Sequence, residues 1–343
     1  MPNSANVNLS LVIPLFNEEE VFPKLIERLA ALLQQLSIPT EILLVDDGSF
    51  DATPALIKHV CLNPPPMPPG SAFRGIVLSR NFGHQLAITA GMTHAQGNAV
   101  AILDGDLQDP PEVIADFYAK LKEGFDVVYA VRQQRKENIF KRLAYAAFYR
   151  LMRSLATIPI PLDAGDFCIM SRRVVNELNA MPERHRFVRG LRSWVGFRQV
   201  AHPYPREARH AGRSKYSFAK LLALAFEGIF TFSERPLQWS AQFGLLIAIC
   251  SVLYALFIFF WRIFAHDTPA ALNGFATLAV GLFFIGGVQL ISIGILGQYI
   301  GRIHNEVKNR PLFVVESRFG FTNDFNASPP SATARAELSH LRE

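Results

Sequence analysis

Cysteine is scarce in this chain of 343 residues, which holds only Cys61, Cys168 and Cys250. The three lie far apart, and neither a CxxC pair nor a Cys/His spacing typical of zinc sites occurs. This excludes a disulfide framework and a zinc centre, and it fits a reducing environment for the soluble part. Residues 1–8 hold no charged segment followed by an apolar run, so we expect no signal peptide.

Two nucleotide-binding signatures are also missing. The sequence contains no GxxxxGK[ST] segment, and no GxGxxG follows its first predicted strand. The glycines of those motifs let backbone N–H groups approach phosphates in ATPases and in dinucleotide-dependent enzymes. The sequence therefore supports neither of these two classes.

Charged residues are absent from two long apolar runs near the C-terminus, residues 237–261 and 273–300. Each run exceeds the roughly 20 apolar residues that cross a bilayer, so we predict two transmembrane helices. Basic residues are enriched before the first run and after the second. The positive-inside rule then predicts a protein of the cell (inner or plasma) membrane, with residues 1–215 and the tail 301–343 in the cytoplasm.

Positive charge is concentrated in two blocks. Residues 132–153 hold seven Lys/Arg against one Glu, and residues 184–215 hold nine more. Such blocks indicate nucleic acid, anionic lipid or a phosphorylated substrate, or simply a solvated basic face. Because both blocks precede the predicted spans, we favour the lipid bilayer as partner and expect no nucleic acid. Helices predicted at about 138–158 and 216–235 are either ordinary core or amphipathic helices at the membrane surface.

The first 130 residues alternate short apolar runs with helical segments. Continuous Val/Ile/Leu runs between helices are typical of a mostly parallel sheet with helices on both faces. Ligands of such sheets bind beyond the carboxyl ends of the strands, so the residues after each strand are candidates for a site. The predicted strands are Leu9–Leu15, Glu41–Val45, Gly75–Leu78, Ala99–Leu103 and Asp126–Ala130, and the predicted helices are Glu19–Leu36, Thr53–Val60, Gln85–Ala95 and Glu112–Glu123.

Two carboxylates separated by one residue follow the fourth predicted strand, in the segment Asp104-Gly105-Asp106-Leu107-Gln108. Both can reach one divalent ion from a strand end, and hard cations such as Mg²⁺ prefer oxygen ligands and bridge substrate phosphates. We therefore interpret Asp104 and Asp106 as metal ligands rather than turn residues. The acidic residues that follow have a structural explanation, because Asp109 as N-cap and Glu112 three positions later predict a capping box.

Polar clusters follow the first three predicted strands at the same sheet edge. Acidic side chains there can accept hydrogen bonds from a base or a ribose, an aromatic ring can pack beside a base, and Arg80 and Asn81 can donate to phosphates. Each cluster alone is also a plausible turn or helix cap, but three at one edge favour a nucleotide pocket. The clusters are Pro14-Leu15-Phe16-Asn17-Glu18, Asp46-Asp47-Gly48-Ser49 and Arg80-Asn81-Phe82-Gly83-His84.

As a set, these motifs resemble the family 2 glycosyltransferases, and within them the dolichol-phosphate mannosyltransferase-like enzymes and the bacterial polyprenyl-phosphate glycosyltransferases. The resemblance extends to about Phe313. It implies the GT-A fold, a doubly wound and mostly parallel α/β sheet, with juxtamembrane amphipathic helices, two transmembrane helices and a homo-oligomeric assembly. The matching segments are VIPLFNEEE, LLVDDGSFD, LSRNFGHQLAI, LDGDLQDPPE, VRQQR, AGDFCIM, RHAGRSKYSF and GQYIGRI.

The resemblance implies inverting transfer of one sugar from a UDP- or GDP-sugar to undecaprenyl or dolichyl phosphate, which makes a lipid-linked donor for cell-envelope glycans or lipid modification. Asp104, Asp106 and Gln108 would hold Mg²⁺ or Mn²⁺, with Asp106 also catalytic. The residues implied for the nucleotide sugar are Pro14, Phe16, Glu18, Asp46, Asp47, Arg80, Asn81 and Asp104. Those implied for the acceptor phosphate are Arg132, Arg209, Arg213, Ser214 and Lys215.

Asp166 matches the position proposed in relatives as the catalytic base. A phosphate monoester has its second pKa near 6 and is mostly dianionic at neutral pH, so little proton abstraction is needed. Asp166 could instead orient the acceptor or stabilise positive charge on the sugar, and these alternatives stay open. A processive polysaccharide synthase and a non-catalytic lipid-binding scaffold are the other functions considered. Two spans and the lack of a QxxRW motif count against the first, and the intact acidic and basic motifs count against the second.

Overall fold

The computed structural model describes residues 7–133, 164–184, 186–205, 235–264 and 274–321. They belong to two compact units, one built on a single sheet and one containing two long apolar helices. The strands are β1 (Leu9–Leu15), β2 (Thr40–Asp46), β3 (Ala72–Leu78), β4 (Ala99–Ile102), β5 (Val127–Gln133), β6 (Ala164–Ser171), β7 (Gln199–Pro205) and β8 (Val315–Phe319). The helices are α1 (Phe22–Leu36), α2 (Thr53–Leu62), α3 (His84–His94), α4 (Val113–Lys122), α5 (Arg172–Ala180), α6 (Val188–Trp194), α7 (Arg235–Phe264) and α8 (Gly274–Val307).

The strand order of the sheet is β7-β5-β6-β4-β1-β2-β3-β8. β1 pairs in parallel with β2 and β4, β2 with β3, and β5 with β7. In contrast, β6 is antiparallel to β4 and β5, and β8 is antiparallel to β3. Six strands therefore run in one direction, and β6 and β8 run in the other. As a consequence β6 begins at the edge where β4 ends.

Buried apolar side chains pack on both faces of the sheet, which confirms the predicted mostly parallel α/β architecture. Alternate residues of β1 face opposite sides, so that Ile13 joins a core with α1, α2 and α4, while Val12 joins a core with α3, α5 and α6. Because both faces are covered, the strands are continuously apolar rather than alternating. All five predicted strands and all four predicted helices are found within a few residues of their expected ends.

The C-terminal strand β8 was not anticipated, because residues 301–343 were expected to form a tail. β8 follows α8 in the chain and pairs with β3 in the same sheet as the N-terminal strands. The Phe319 ring belongs to the core on the α1 side, and a Cβ atom on Gly75 would lie 3.2 Å from its Cδ2 atom. The residues after the second apolar helix thus complete the sheet.

Phe319→Ala should lower the melting temperature of the detergent-solubilised full chain by about 5–15 °C, because emptying a buried Phe site costs about 3–5 kcal/mol. Thermal unfolding measures this change. The matched control is Leu62→Ala, whose side chain is 60% exposed at the end of α2, and which should change the melting temperature by little. Equal effects of the two substitutions would show that β8 does not dock on the sheet.

The second unit contains α7 and α8, of 30 and 34 residues. At 1.5 Å per residue they are about 45 and 51 Å long, more than the roughly 30 Å of a hydrocarbon core. Their most apolar segments are Leu237–Tyr254 and Gly281–Val307, with mean hydropathies of 1.4 and 1.6, and neither segment is buried within the protein. Both helices overlap the predicted spans and are long and apolar enough to cross a membrane. The two predicted amphipathic segments fall almost entirely outside the described residues.

Candidate active site

The carboxyl edge of the sheet, where β1 to β4 end, brings the predicted motifs together. The loops after these strands carry the acidic and basic clusters. β6 contributes from the opposite direction, because Cys168 pairs with Ile102 and the strand therefore places Asp166 level with Asp104. Residues 62 positions apart in the chain become neighbours at one edge, which is the place where ligands bind such sheets.

The loops after β1 and β2 are joined by hydrogen bonds. The Asn17 N–H donates to Ser49 Oγ at 2.9 Å, and Asn17 Oδ1 accepts from the Phe50 N–H at 2.9 Å. Asn17 has a φ of 54°, in the left-handed region that Asn tolerates better than most residues. The Phe16 and Phe50 rings meet edge to face, with centroids 6.1 Å apart, and both are partly exposed. The hydrogen bonds thus hold the loops after β1 and β2 together, and the two rings form a partly exposed aromatic surface.

Asp46 and Asp47 both shape the loops around them. Asp46 is fully buried and accepts from the Ser49 N–H at 3.2 Å. Asp47 accepts from the N–H groups of Phe82 and Gly83, at 2.7 and 2.9 Å. Burial raises the pKa of Asp47 although these N–H groups oppose the shift. The resemblance implies that Asp46 and Asp47 contact a nucleotide directly, and this stays a prediction.

The segment after β4 has a constrained backbone that orients Asp106. Leu107 has a φ of 57°, in the left-handed region that few apolar residues adopt. Its side chain is buried, so its packing holds this backbone conformation in place. The backbone N–H of Gln108 donates to Asp106 Oδ1 at 3.1 Å, and its side-chain amide donates to Oδ2 at 2.7 Å. Gln108 therefore fixes the carboxylate, a contact typical of groups that support a metal ligand.

Asp104 has a buried oxygen, Oδ1, that makes no hydrogen bond with any of the described residues. Burial raises the pKa of Asp104 to about 6, and the carboxylates of Asp166, Asp109 and Asp106 add to this shift while His84 opposes it. His84 Nε2 lies 3.4 Å from Oδ1. Asp104 is thus affected by three further carboxylates, an arrangement that a bound cation would stabilise.

The donor set fits a hard divalent cation better than any other metal. The predicted ligands offer oxygen atoms alone, as Mg²⁺ and Mn²⁺ prefer. Within the described part of the chain, no three His, Cys, Asp or Glu side chains converge to enclose an ion. Two carboxylates fit an ion that keeps several waters or phosphate oxygens as its remaining ligands.

The predicted capping box at α4 is wrong. The N-cap position of α4 is Glu112, and no side chain caps the helix there. Glu112 instead accepts from Arg28 Nε and Nη2, at 3.0 and 2.7 Å, and Asp109 accepts from the Tyr204 hydroxyl. Arg28 binds both oxygens of Glu112 in a bidentate pair, so the tertiary partner prevails over the local motif.

The buried Asp166 carboxylate is held by several donors. Arg189 donates from Nε to Oδ1 at 2.9 Å and from Nη2 to Oδ2 at 3.2 Å, and Gln85 Nε2 donates to Oδ2 at 3.0 Å. His84 Nε2 lies 3.5 Å from the same Oδ2. Burial alone would raise the pKa of Asp166, but His84 and Arg189 hold it well below its usual value. Asp166 is thus an ionised group with little basicity.

Gln85 and Arg189 lie in the site although the sequence motifs do not assign them to it, and His84, the last residue of the Arg80–His84 cluster, lies there without a role assigned from the sequence. The sequence alone favours an ordinary loop histidine at position 84, but the His84 ring nitrogen lies between Asp104 and Asp166. Burial tends to lower the pKa of His84, yet the carboxylates of Asp166 and Asp104 raise it overall. His84 and Gln85 begin α3, and their one sequence signal is their place at the end of the Arg80–His84 cluster and directly after it.

The remaining predicted residues are placed only in part. Arg80 and Asn81 are exposed beside the site, and Arg80 stacks on Phe82 with its guanidinium 4.1 Å from the ring centroid. Pro14 lies in β1, and the Glu18 N–H donates to Thr53 Oγ1 at 3.0 Å. Arg132 belongs to β5, at the same edge. The other residues expected to bind the acceptor phosphate, Arg209, Arg213, Ser214 and Lys215, lie outside the described residues.

Residues 10–178 match the family model described as glycosyl transferase family 2. An uncharacterized glycosyltransferase of Bacillus subtilis, YkcC, is 42% identical over 93% of this chain and 97% of its own length. A prophage-derived bactoprenol glucosyl transferase of Shigella flexneri is 41% identical, covering 90% of this chain and 98% of its own. A solved mannosyltransferase of Pyrobaculum calidifontis, in complex with GDP-Man and Mn²⁺, has a TM-score of 0.46 at 16% identity, covering 91% and 90% of the two chains. The chain belongs to glycosyl transferase family 2.

Proposed function

We propose that this glycosyltransferase moves one sugar from a UDP- or GDP-sugar to a polyprenyl phosphate, and so makes a lipid-linked sugar donor for the cell envelope. The carrying observation is the meeting of Asp104 and Asp106 with the Asp166–Arg189 pair at one sheet edge, in a chain with two long apolar helices. The 41% identity to bactoprenol glucosyl transferases supports a polyprenyl acceptor and makes a glucose donor the first to test.

A divalent ion, Mg²⁺ or Mn²⁺, bound by Asp104 and Asp106 would supply positive charge for the diphosphate leaving group. The chain's own residues prepare this site. Gln108 orients Asp106, and Asp104 Oδ1 lies 3.4 Å from His84 Nε2 while accepting no hydrogen bond from the described residues. The side-chain amide nitrogen of Gln108 donates to Asp106. Binding of the ion by Gln108 itself stays a prediction.

In the proposed reaction an oxygen of the acceptor phosphate forms a bond to the anomeric carbon of the sugar. The bond from that carbon to the diphosphate oxygen breaks, and the nucleoside diphosphate leaves with the electron pair. Direct attack inverts the anomeric configuration. Two anions must meet, so cations at the carboxyl edge are needed to offset their repulsion. Arg80 and Arg132 are the predicted cations among the described residues at this edge.

The position of β8 supports the proposed topology. β8 follows both apolar helices and yet belongs to the sheet formed by the N-terminal strands, so an even number of membrane crossings joins them. Basic residues flank the outer ends of the helix pair and are sparse between them. We therefore propose that the sheet, the site and the C-terminus share the cytoplasmic side.

Incubation of membranes that contain the protein with labelled nucleotide sugars and undecaprenyl phosphate tests the proposed function. Organic-extractable label that appears with one donor, and disappears with EDTA, is the expected result. A long water-soluble polymer would instead indicate a processive synthase. Membranes that bind the lipid but release no labelled product with any donor would indicate a non-catalytic scaffold.

Phe16→Ala should weaken UDP or GDP binding by about 5- to 30-fold, because an aromatic face beside a base contributes about 1–2 kcal/mol. Isothermal titration calorimetry with the two nucleotides measures the change and also identifies the preferred base. Phe197→Ala is the matched control, since Phe197 is 41% exposed against 38% for Phe16 and precedes β7 at the opposite edge. Unchanged affinity in the Phe16 variant would exclude Phe16 from the base pocket.

A further inference from the structure

Arg189 and Asp166 form an ion pair whose two members differ in access to solvent. The Asp166 side chain is 3% exposed and the Arg189 side chain is 35% exposed. The guanidinium is therefore the member that a substrate at the carboxyl edge can reach, while the carboxylate lies behind it. Both oxygens of Asp166 already accept hydrogen bonds from Arg189.

The position of this ion pair is fixed from three elements. Gln85, in the first turn of α3, donates to Asp166 Oδ2 and accepts from the Val188 N–H at 2.8 Å through its own oxygen. Gln85 thus links the beginning of α3, the beginning of β6 and the beginning of α6, which carries Arg189. A guanidinium held on such a support loses little side-chain entropy when it binds an anion.

The negative charge of the two substrates explains why the Arg189 guanidinium is needed. The diphosphate of the donor is an anion, and a phosphate monoester that approaches it is repelled unless a cation receives it. Arginine suits this role because its planar N–H donors match phosphate oxygens. An acceptor dianion also gives the Asp166 carboxylate no proton to remove.

We propose that Arg189 binds the phosphate of the acceptor lipid, and that Asp166 is a positioning residue that aims the guanidinium rather than a general base. This inference rests on the proposed function and adds a substrate-binding residue to it. Bond formation and cleavage are those given above, and no proton transfer is required when the acceptor is dianionic. Arg189 then acts together with the predicted basic segment 209–215 rather than in its place.

Steady-state kinetics of the detergent-solubilised full chain test the proposal, with undecaprenyl phosphate and the donor varied separately. Arg189→Gln should raise KM for the acceptor about 10- to 100-fold, the loss expected for charge-assisted hydrogen bonds, and leave KM for the donor within about twofold. Arg189→Lys should recover part of the lost acceptor affinity because it restores the charge. A variant with wild-type KM for the acceptor would overturn the proposal.

A double-mutant cycle separates positioning from base catalysis. If Asp166 acts through Arg189, Asp166→Asn should raise KM for the acceptor, and adding it to Arg189→Gln should cost little more. A fall in kcat for Asp166→Asn that persists unchanged in the Arg189→Gln background would show a general base and overturn the proposal. Failure of the proposed function is distinct, because the wild-type protein would then make no lipid-linked sugar at all.

Arg173→Gln is the matched control for these variants. Arg173 also pairs as an exposed arginine with a buried carboxylate, Asp126, but at the opposite edge of the sheet. It should leave both KM values unchanged. Melting temperatures of all variants check that they fold. If Arg189→Gln does not fold, the acceptor KM values of the single variants Asp166→Asn and Arg189→Lys still test the proposal.

Discussion

Replacing Asp104 and Asp106 together by asparagine should lower sugar transfer at least about 10³-fold, because the charge stabilisation of a bound divalent ion is worth several kcal/mol. The substitution keeps the shape of both side chains and removes two negative charges from a crowded site. Asp104 is repelled by three neighbouring carboxylates. We therefore expect the double variant to melt at the same temperature as the wild type or higher, while transfer is lost.

The control for this variant is Asp116→Asn on α4, which removes a carboxylate that is 68% exposed outside the site. It should transfer sugar at the wild-type rate. Added Mg²⁺ or Mn²⁺ should restore activity to EDTA-treated wild-type protein and not to the double variant. Full transfer by the double variant would show that the two carboxylates are turn residues, the alternative that their sequence also allows.

Gly48→Ala should inactivate the enzyme and lower its stability by about 3 kcal/mol or more. Gly48 has a φ of 71°, which alone costs an alanine about 1–2 kcal/mol. A Cβ atom there would also lie 2.3 Å from the backbone carbonyl carbon of Arg80 and 2.6 Å from the Asn81 nitrogen. Because both contacts are with backbone, the loop after β3 must shift, and it carries His84 to the carboxylates.

Gly196→Ala isolates the steric part of this effect. Gly196 has a similar φ of 75°, but a Cβ atom added to it would meet no described atom within 4 Å, and it belongs to the turn before β7. Only the conformational cost should remain, with activity close to that of the wild type. Thermal unfolding and transfer assays of the two variants measure the difference. Equal losses would show that the two loops do not pack as closely as the structure has them.

The amino-acid sequence was sufficient to predict the parallel strands β1 to β5 of the sheet and insufficient to predict its antiparallel strands, β6 and β8. Strands such as β1 and β2 are buried on both faces and therefore appear as continuous apolar runs. β8 has the sequence Val-Glu-Ser-Arg-Phe and lies at the sheet edge, where polar residues are tolerated, so no such run marks it. The hydrophobic pattern of a segment reflects how much of that segment is buried. An edge strand that follows two apolar helices is buried too little to be recognised in this way.

The candidate site shows a similar division. The Asp104–Asp106 segment and the loops after β1 to β3 were predictable because parallel topology alone brings strand ends to one edge. Arg189 was not predictable, because its contact with Asp166 depends on β6 running antiparallel and on the position of α6. The same limit explains the wrong capping box, since Glu112 binds Arg28, 84 residues away in the chain. Local motifs do not encode partners at such separations.

The most direct test of single-sugar transfer to a polyprenyl phosphate is the mass of the lipid product. Purified protein would be incubated with undecaprenyl phosphate, Mg²⁺ and the donor selected by the membrane assay, and the lipids would be analysed by mass spectrometry. We expect one new species, heavier than the acceptor by a single sugar residue, in amounts matched by released nucleoside diphosphate. Nucleoside diphosphate released with unmodified lipid, or a ladder of several sugars, would contradict the proposed function.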